Sequence, residues 1–219
     1  REQGTPGGTL PRVIARGPGW TVADVLCTSG PEDPTFEERH SRYTIAMVLA
    51  GSFQYRTALG DELMTSGSLM LGNHGQGFEC AHQHGEGDRC VSFWYAPDYF
   101  ERVAADAGAR GRRLSFRVPR LPPSRPLTSL LARAGSGALG AAGVPWEELA
   151  LRLAVSTVRL AGDASSSRSR VPLNAEARVT HAVRTIDSHP RATLSLARLA
   201  RDANLSPYHF LRTFERVTG

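Results

Sequence analysis

The sequence predicts an α+β protein with an antiparallel β half followed by a helical half. Two observations predict it. Short β-rich runs recur about every ten residues between Trp20 and Pro97, with Gly51, Gly60, Gly67, Gly72 and Gly85 as punctuation, a spacing that suits a sandwich or barrel. Beyond Pro97 the apolar residues shift to helical spacing, and residues 195 to 219 carry two capped helices joined by a three-residue turn.

In chain order, residues 1 to 19 are rich in Gly and Pro without periodicity and are expected to be a flexible arm. Strands are predicted over residues 20 to 28, 43 to 50, 52 to 59, 69 to 71, 77 to 84 and 90 to 95. An amphipathic helix is expected from Asp98 to Ala107, where Tyr99, Phe100 and Val103 share a face. Residues 110 to 125 hold Arg110, Arg112, Arg113, Arg117, Arg120 and Arg125 and no acid; they read as a phosphate-seeking strip or as a solvated loop. A helix from Pro145 to Leu160 begins with Pro at its first turn and places Glu147 and Glu148 at the positive end of its dipole. Its apolar surface is wide enough for two neighbours, either within the chain or partly on a second subunit. The Ser-rich stretch 161 to 173 is expected to be a linker.

The chain has 219 residues, of which 41% are hydrophobic and 21% charged, so a core can be buried and wholesale disorder is excluded. No apolar run is long enough to span a membrane, and no signal peptide is evident. A cytoplasmic protein without a membrane partner is the expectation. Three cysteines, Cys27, Cys80 and Cys90, do not make a disulfide framework. There is no lysine; 26 arginines against 21 acids give a net charge of +5, a mild bias that by itself does not establish phosphate binding.

The C-terminal segment carries the most specific pattern. Asn174 is a candidate cap for a helix running to about Ser188, with Val179, Ala182, Val183 and Ile186 on one face and His189-Pro190 ending it. Ser195 then caps a short helix with Leu196, Leu199, Ala200 and Ala203 turned inward. Asn204-Leu205-Ser206 makes the turn, and Asn tolerates the left-handed backbone it needs. Ser206 and Pro207 start the last helix, whose inner face holds Phe210, Phe214 and Val217. The pattern fits a helix-turn-helix, with an ordinary αα-hairpin as the other reading.

The run LARLARDANLSPYHFLRTFERVTG resembles the first helix-turn-helix of the AraC/XylS family of bacterial transcription regulators. The resemblance covers residues 196 to 219. It implies that Tyr208, Leu211 and Arg212 face the bases, that Ser206 and Pro207 open the recognition helix, and that His209 and Arg216 reach phosphates. It also implies double-stranded operator DNA as partner, a homodimer, and contact with RNA polymerase. The family's DNA-binding domain has a second such unit, whereas this sequence ends at Gly219; the expectation is a fragment in which Val217 lacks its covering helix.

Many members of that family carry a cupin barrel that senses an effector and dimerises, and residues 20 to 160 are similar to it in the spacing from His40 to His84. CAHQHGEGDRCVSFWYAPDYFERV is also similar to a run in a subset of AraC-like regulators. Cys80, His82 and His84 alternate and so share one face of a strand, and Cys90 returns on the next. These four are candidate ligands of a tetrahedral zinc, with His74 or Glu86 as substitutes; the other reading is buried thiols and solvated histidines. The function expected is therefore a non-enzymatic transcription regulator whose barrel senses a small molecule or metal. The alternative is a cupin-type metalloenzyme with a helical tail, with Glu79 or Glu86 as acid or base.

Overall fold

A computed structural model describes residues 8–35, 37–82, 87–109, 115–163, 173–189 and 191–218. The strands are β1 (Thr9–Gly17), β2 (Trp20–Cys27), β3 (Glu38–Arg39), β4 (Tyr43–Gly51), β5 (Phe53–Thr57), β6 (Gly60–Met64), β7 (Leu69–Gly72), β8 (Gly77–Ala81), β9 (Asp88–Tyr95) and β10 (Arg120–Leu121). The helices are α1 (Pro97–Asp106), α2 (Arg125–Ala138), α3 (Trp146–Asp163), α4 (Leu173–Ser188), α5 (Leu196–Asp202) and α6 (Pro207–Thr218). One antiparallel sheet runs β1-β2-β9-β4-β7-β10 and the other β3-β8-β5-β6. The fold is α+β, as the sequence predicts.

The larger sheet is buried on both faces, which is why Tyr43 to Val48 reads as a continuous apolar run rather than an alternation. Ile45, Met47, Val91, Phe93 and Tyr95 point to one side, where they pack with Phe100 of α1, Leu127 of α2 and Leu149 and Leu153 of α3. Ala46, Val48 and Cys90 point to the other, toward Phe53, Tyr55 and Met64 of the smaller sheet. The result is three layers: helices, large sheet, small sheet. At 25 cal/mol per Å², each fully buried Leu, Phe or Met side chain contributes about 1.5 to 3 kcal/mol.

Several sequence expectations are corrected. The described part of the expected arm forms β1, which pairs along its length with β2. It is an edge strand with one largely exposed face, the setting that tolerates Pro11 and hides the alternation. β6 forms a hairpin with β5 across Ala58 and Leu59, where a single strand had been expected. α2 was not anticipated, because Gly135, Ser136 and Gly137 lower its helix propensity. Gly137 is required there, since a Cβ would run into the Trp146 ring where α2 meets α3. α3 extends to Asp163, three residues into the expected linker. Residues 164–172 of that linker lie outside the described residues, as do Arg110, Arg112 and Arg113, and its last residue, Leu173, begins α4. Arg120 is not solvated: it is buried, 3.9 Å from Glu62, and donates to the carbonyl of Thr218.

The C-terminal helices pack on each other through Ala182, Leu199, Ala200, Ala203 and Phe210. Ser195 accepts from the Arg198 amide as N-cap of α5. α5 ends with Asn204 at φ 52°, the Arg201 carbonyl accepting from the Asn204 amide and the Ala200 carbonyl from Leu205. That is the paired bonding of a Schellman cap, with Asn in the left-handed position. Leu196, expected inside, is 42% exposed. Val217 is covered: it packs with Leu63 of β6 and with Val179 and Val183 of α4. Among the described residues no helix is long and apolar enough to cross a membrane.

Candidate functional site

Between the two sheets lies a cavity of about 560 Å³. Its walls come from alternate residues of the strands, including Thr21 and Val25 of β2, Thr44 and Ala46 of β4, and Phe78 and Cys80 of β8. β2 runs along its length. At one end Thr21 pairs with Trp94 and Arg16; at the other Cys27 pairs with Asp88 and Thr9. Six residues of strand separate these ends, roughly 20 Å. Arg16 and Arg42, both exposed, border the cavity, as does Arg39, which donates to the Gly75 carbonyl at 2.7 Å.

The Cys27 end collects the chemistry. Cys27 and Asp88 are directly opposed cross-strand partners, so their side chains share a face. His82 follows the end of β8 and reaches them from the small sheet. One donor atom from each of Cys27, His82 and Asp88 lies within 4.8 Å of the other two. His82 Nε2 is 2.7 Å from Asp88 Oδ2, with both side chains nearly excluded from water. Cys90 Sγ donates to the other carboxylate oxygen, Oδ1, at 3.3 Å. Gly87 sits at φ 69°, and a Cβ there would collide with the Cys27 carbonyl, so only glycine lets the two chains approach this closely.

Electrostatics bind the three into a unit. Burial raises the Cys27 thiol pKa, but hydrogen bonds from His82 and Ser29 outweigh it and leave the pKa below the ordinary value. For His82 burial disfavours the charged ring; the hydrogen bonds to Asp88 and Cys27 reverse this and raise its pKa to about 9. His82 is therefore held toward its charged form between the Cys27 sulfur and the Asp88 side chain. Cys80 and Cys90 are the opposite case, their pKa values pushed well up, first by burial and then by the Asp88 charge.

Of the described residues of the expected ligand set, Cys80, His82 and Cys90, only His82 enters the close group. Cys80 and Cys90 line the same cavity without joining it, and His84 and Glu86 lie outside the described residues. His74 is exposed, and Glu79 stands 3.9 Å from Arg56 with a half-exposed side chain. Cys27 and Asp88 were missed because pairing across 61 residues of sequence leaves no local signature; the one usable hint was Asp88 within the His82 to Cys90 turn.

His40 borders the same cavity. It is stacked on Phe78 at 4.1 Å between ring centroids and sits 2.8 Å from the Tyr55 hydroxyl, which in turn donates to the Leu71 carbonyl. Burial holds its pKa down to about 4, so it is neutral.

The second candidate surface is α6. Ser206, Pro207, Tyr208, His209, Leu211, Arg212 and Arg216 are all exposed, Tyr208 at 65%. Ser206 Oγ accepts from the His209 amide and lies 2.9 Å from His209 Nδ1, which caps α6. The Arg212 guanidinium lies over the Tyr208 ring at 5.8 Å. Phe210 and Val217 are buried on the reverse face.

No protein-family model and no curated protein matches the chain. Among solved structures it is similar to the EutQ protein of Clostridium difficile, at 14% identity and TM-score 0.36, over 42% of this chain and 71% of that one. It is similar to a cupin domain from Bordetella pertussis at 17% identity and TM-score 0.34, over 42% of this chain and 96% of the other. A cupin-2 domain protein from Shewanella frigidimarina is similar at 17% identity and TM-score 0.33, over 39% and 79% of the two chains.

Proposed function

We propose that this chain is a sequence-specific DNA-binding transcription regulator of AraC type, acting in the bacterial cytoplasm without enzymatic activity, whose cupin-like barrel holds an effector. The observation that carries the reading is the division of α6: Tyr208, Leu211 and Arg212 are exposed on one side while Phe210 and Val217 are buried on the other. α5 and α6, joined by the Asn204 turn, then form a helix-turn-helix whose second helix enters the major groove. Arg212 contacts guanine through O6 and N7, a bidentate pair worth about 1 to 3 kcal/mol of discrimination. The Tyr208 ring beneath it limits the rotamers the guanidinium samples. Leu211 meets thymine methyls, and His209 and Arg216 meet phosphates.

The cavity supplies the sensing half. Arg16, Arg39 and Arg42 around it favour a small anionic effector. Phe53 lines the cavity and packs with Met64, whose neighbour Leu63 touches α4 and α6. An effector that fits one arrangement of β5 and β6 better than another shifts the population of helix positions by its difference in affinity. A homodimer, with two such helices on one face of the duplex, and contact with RNA polymerase belong to the same reading.

The test is selection from a random duplex library by wild type and by Arg212→Ala. The reading expects an enriched motif that loses preference at one or two positions in the variant. Identical motifs, or no enrichment, contradict it. The metalloenzyme alternative draws on the same cavity with its Cys27, His82 and Asp88 cluster, and turnover of a small substrate with no enriched DNA motif is its signature.

A further inference from the structure

We propose that Cys27, His82 and Asp88 bind one divalent cation of the zinc class, with a fourth coordination position facing the barrel cavity. The donor set is one thiolate, one imidazole and one carboxylate, each among the ligands zinc takes, and the sulfur disfavours magnesium and calcium. The three come from separate elements, the ends of β2 and β8 and the start of β9, yet their donor atoms lie within 4.8 Å of one another.

The spacing fits an ion with modest movement. Donors around a tetrahedral zinc at its usual bond lengths stand about 3.3 to 3.8 Å apart. His82 and Asp88, now 2.7 Å apart, therefore part by roughly 0.6 Å as the shared proton leaves and the ion takes its place, since a nitrogen and an oxygen ligand stand at the short end of that range. Asp88 is already oriented by the Cys90 thiol on its other oxygen, and Cys27 by Ser29, the outer contacts that hold ligands in position. Three protein ligands leave a coordination position over, and all three residues border the cavity. A ligand with a carboxylate or nitrogen donor can bind the ion there while its far end reaches along the barrel toward Arg16. The site stands on the barrel geometry; its part in sensing rests on the regulatory reading above.

The experiment is titration of metal-stripped, reduced full-length protein with cobalt(II). The inference expects one equivalent bound with a thiolate-to-cobalt charge-transfer band and the visible bands of a four-coordinate ion, all displaced by zinc. Cys27→Ser abolishes the charge-transfer band, whereas Cys80→Ser retains it and Cys90→Ser retains it while weakening binding by about 10- to 100-fold, the effect of a group that only orients a ligand. X-ray absorption on the zinc-loaded wild type, which needs no variant to fold, is expected to show one sulfur and two or three nitrogen or oxygen neighbours. No charge-transfer band in the wild type, a band surviving in Cys27→Ser, or a zinc shell of no sulfur or of two sulfurs overturns the inference. Operator affinity is measured on the same loaded and stripped preparations. Equal affinity contradicts the sensing role and leaves the metal site in place.

Discussion

Leu63 and Met64 are adjacent in β6 and face opposite sides of the small sheet. Leu63 packs with Val179, Val183 and Val217 of the C-terminal helices, and Met64 is buried with Phe53 and Tyr55 between the sheets. One strand therefore separates the core between the sheets from the helices that carry the exposed α6 face. Arg120 and Glu62 lie at that boundary, and Ser66 donates to Asp187 at 3.0 Å nearby.

Leu63→Ala is expected to weaken this contact by about 2 to 3 kcal/mol, the lower part of the range for truncating a buried leucine. Hydrogen exchange reads the effect as lost protection in α4 and α6 with β4 and β9 unchanged. Equal loss in both regions contradicts a separable contact. Met64→Ala reverses the pattern and destabilises the barrel.

Gly137→Ala is expected to destabilise the protein by about 1 to 3 kcal/mol, because the added methyl overpacks the Trp146 ring. Urea unfolding measures it. The double variant Gly137→Ala, Trp146→Leu recovers part of the loss, which separates overpacking from any effect of helix propensity, since Ala is the better helix former.

Asn204→Ala is expected to cost about 1 to 2 kcal/mol, the price of a left-handed conformation in a residue with a Cβ and no polar side chain. Asn204→Gly is neutral or stabilising in the folded state. Thermal unfolding of the three proteins ranks them Gly and Asn above Ala; an Ala variant as stable as wild type contradicts the turn geometry.

His40 makes stability depend on pH on the acid side. Its pKa is about 4 in the fold and near 6.5 in the unfolded chain, so the unfolded state takes up the proton first as pH falls. The contribution is complete above about pH 6.5, declines below it, and is lost by about pH 4, for a total of roughly 3 kcal/mol. Denaturant unfolding between pH 7 and 4.5 is expected to show a shallower slope in His40→Gln, which keeps a polar partner for Tyr55 without titrating. Parallel slopes contradict a neutral buried His40.

What was legible in the sequence follows from how local each signal is. The capped pair of C-terminal helices rests on Ser195, Asn204, Ser206 and Pro207, residues that act on their own backbone, and the expected helix boundaries agree with the structure to within a residue. The β half was legible where runs were apolar on both faces, as in β4 and β9. It was not legible in β1, whose exposed edge blurs the alternation, or in α2, where Gly135 and Gly137 are explained by partners far along the chain. The site divides in the same way. His82 was found from its neighbours in sequence, whereas Cys27 and Asp88 meet only through strand pairing. Val217 was expected to lack its covering helix because the sequence ends after one helix-turn-helix unit, and its contact with Leu63, far along the chain, leaves no local mark.

The most direct measurement is binding of the full chain to its enriched duplex with the recognition-helix variants Tyr208→Ala and Arg212→Ala, and with Arg216→Ala, alongside wild type, across a range of salt concentrations. The account predicts that Arg212→Ala loses discrimination at one base position by about 1 to 3 kcal/mol, that Arg216→Ala weakens all sequences alike with a shallower salt dependence, and that the fold of each is unchanged. Identical sequence preference in wild type and both recognition-helix variants contradicts it.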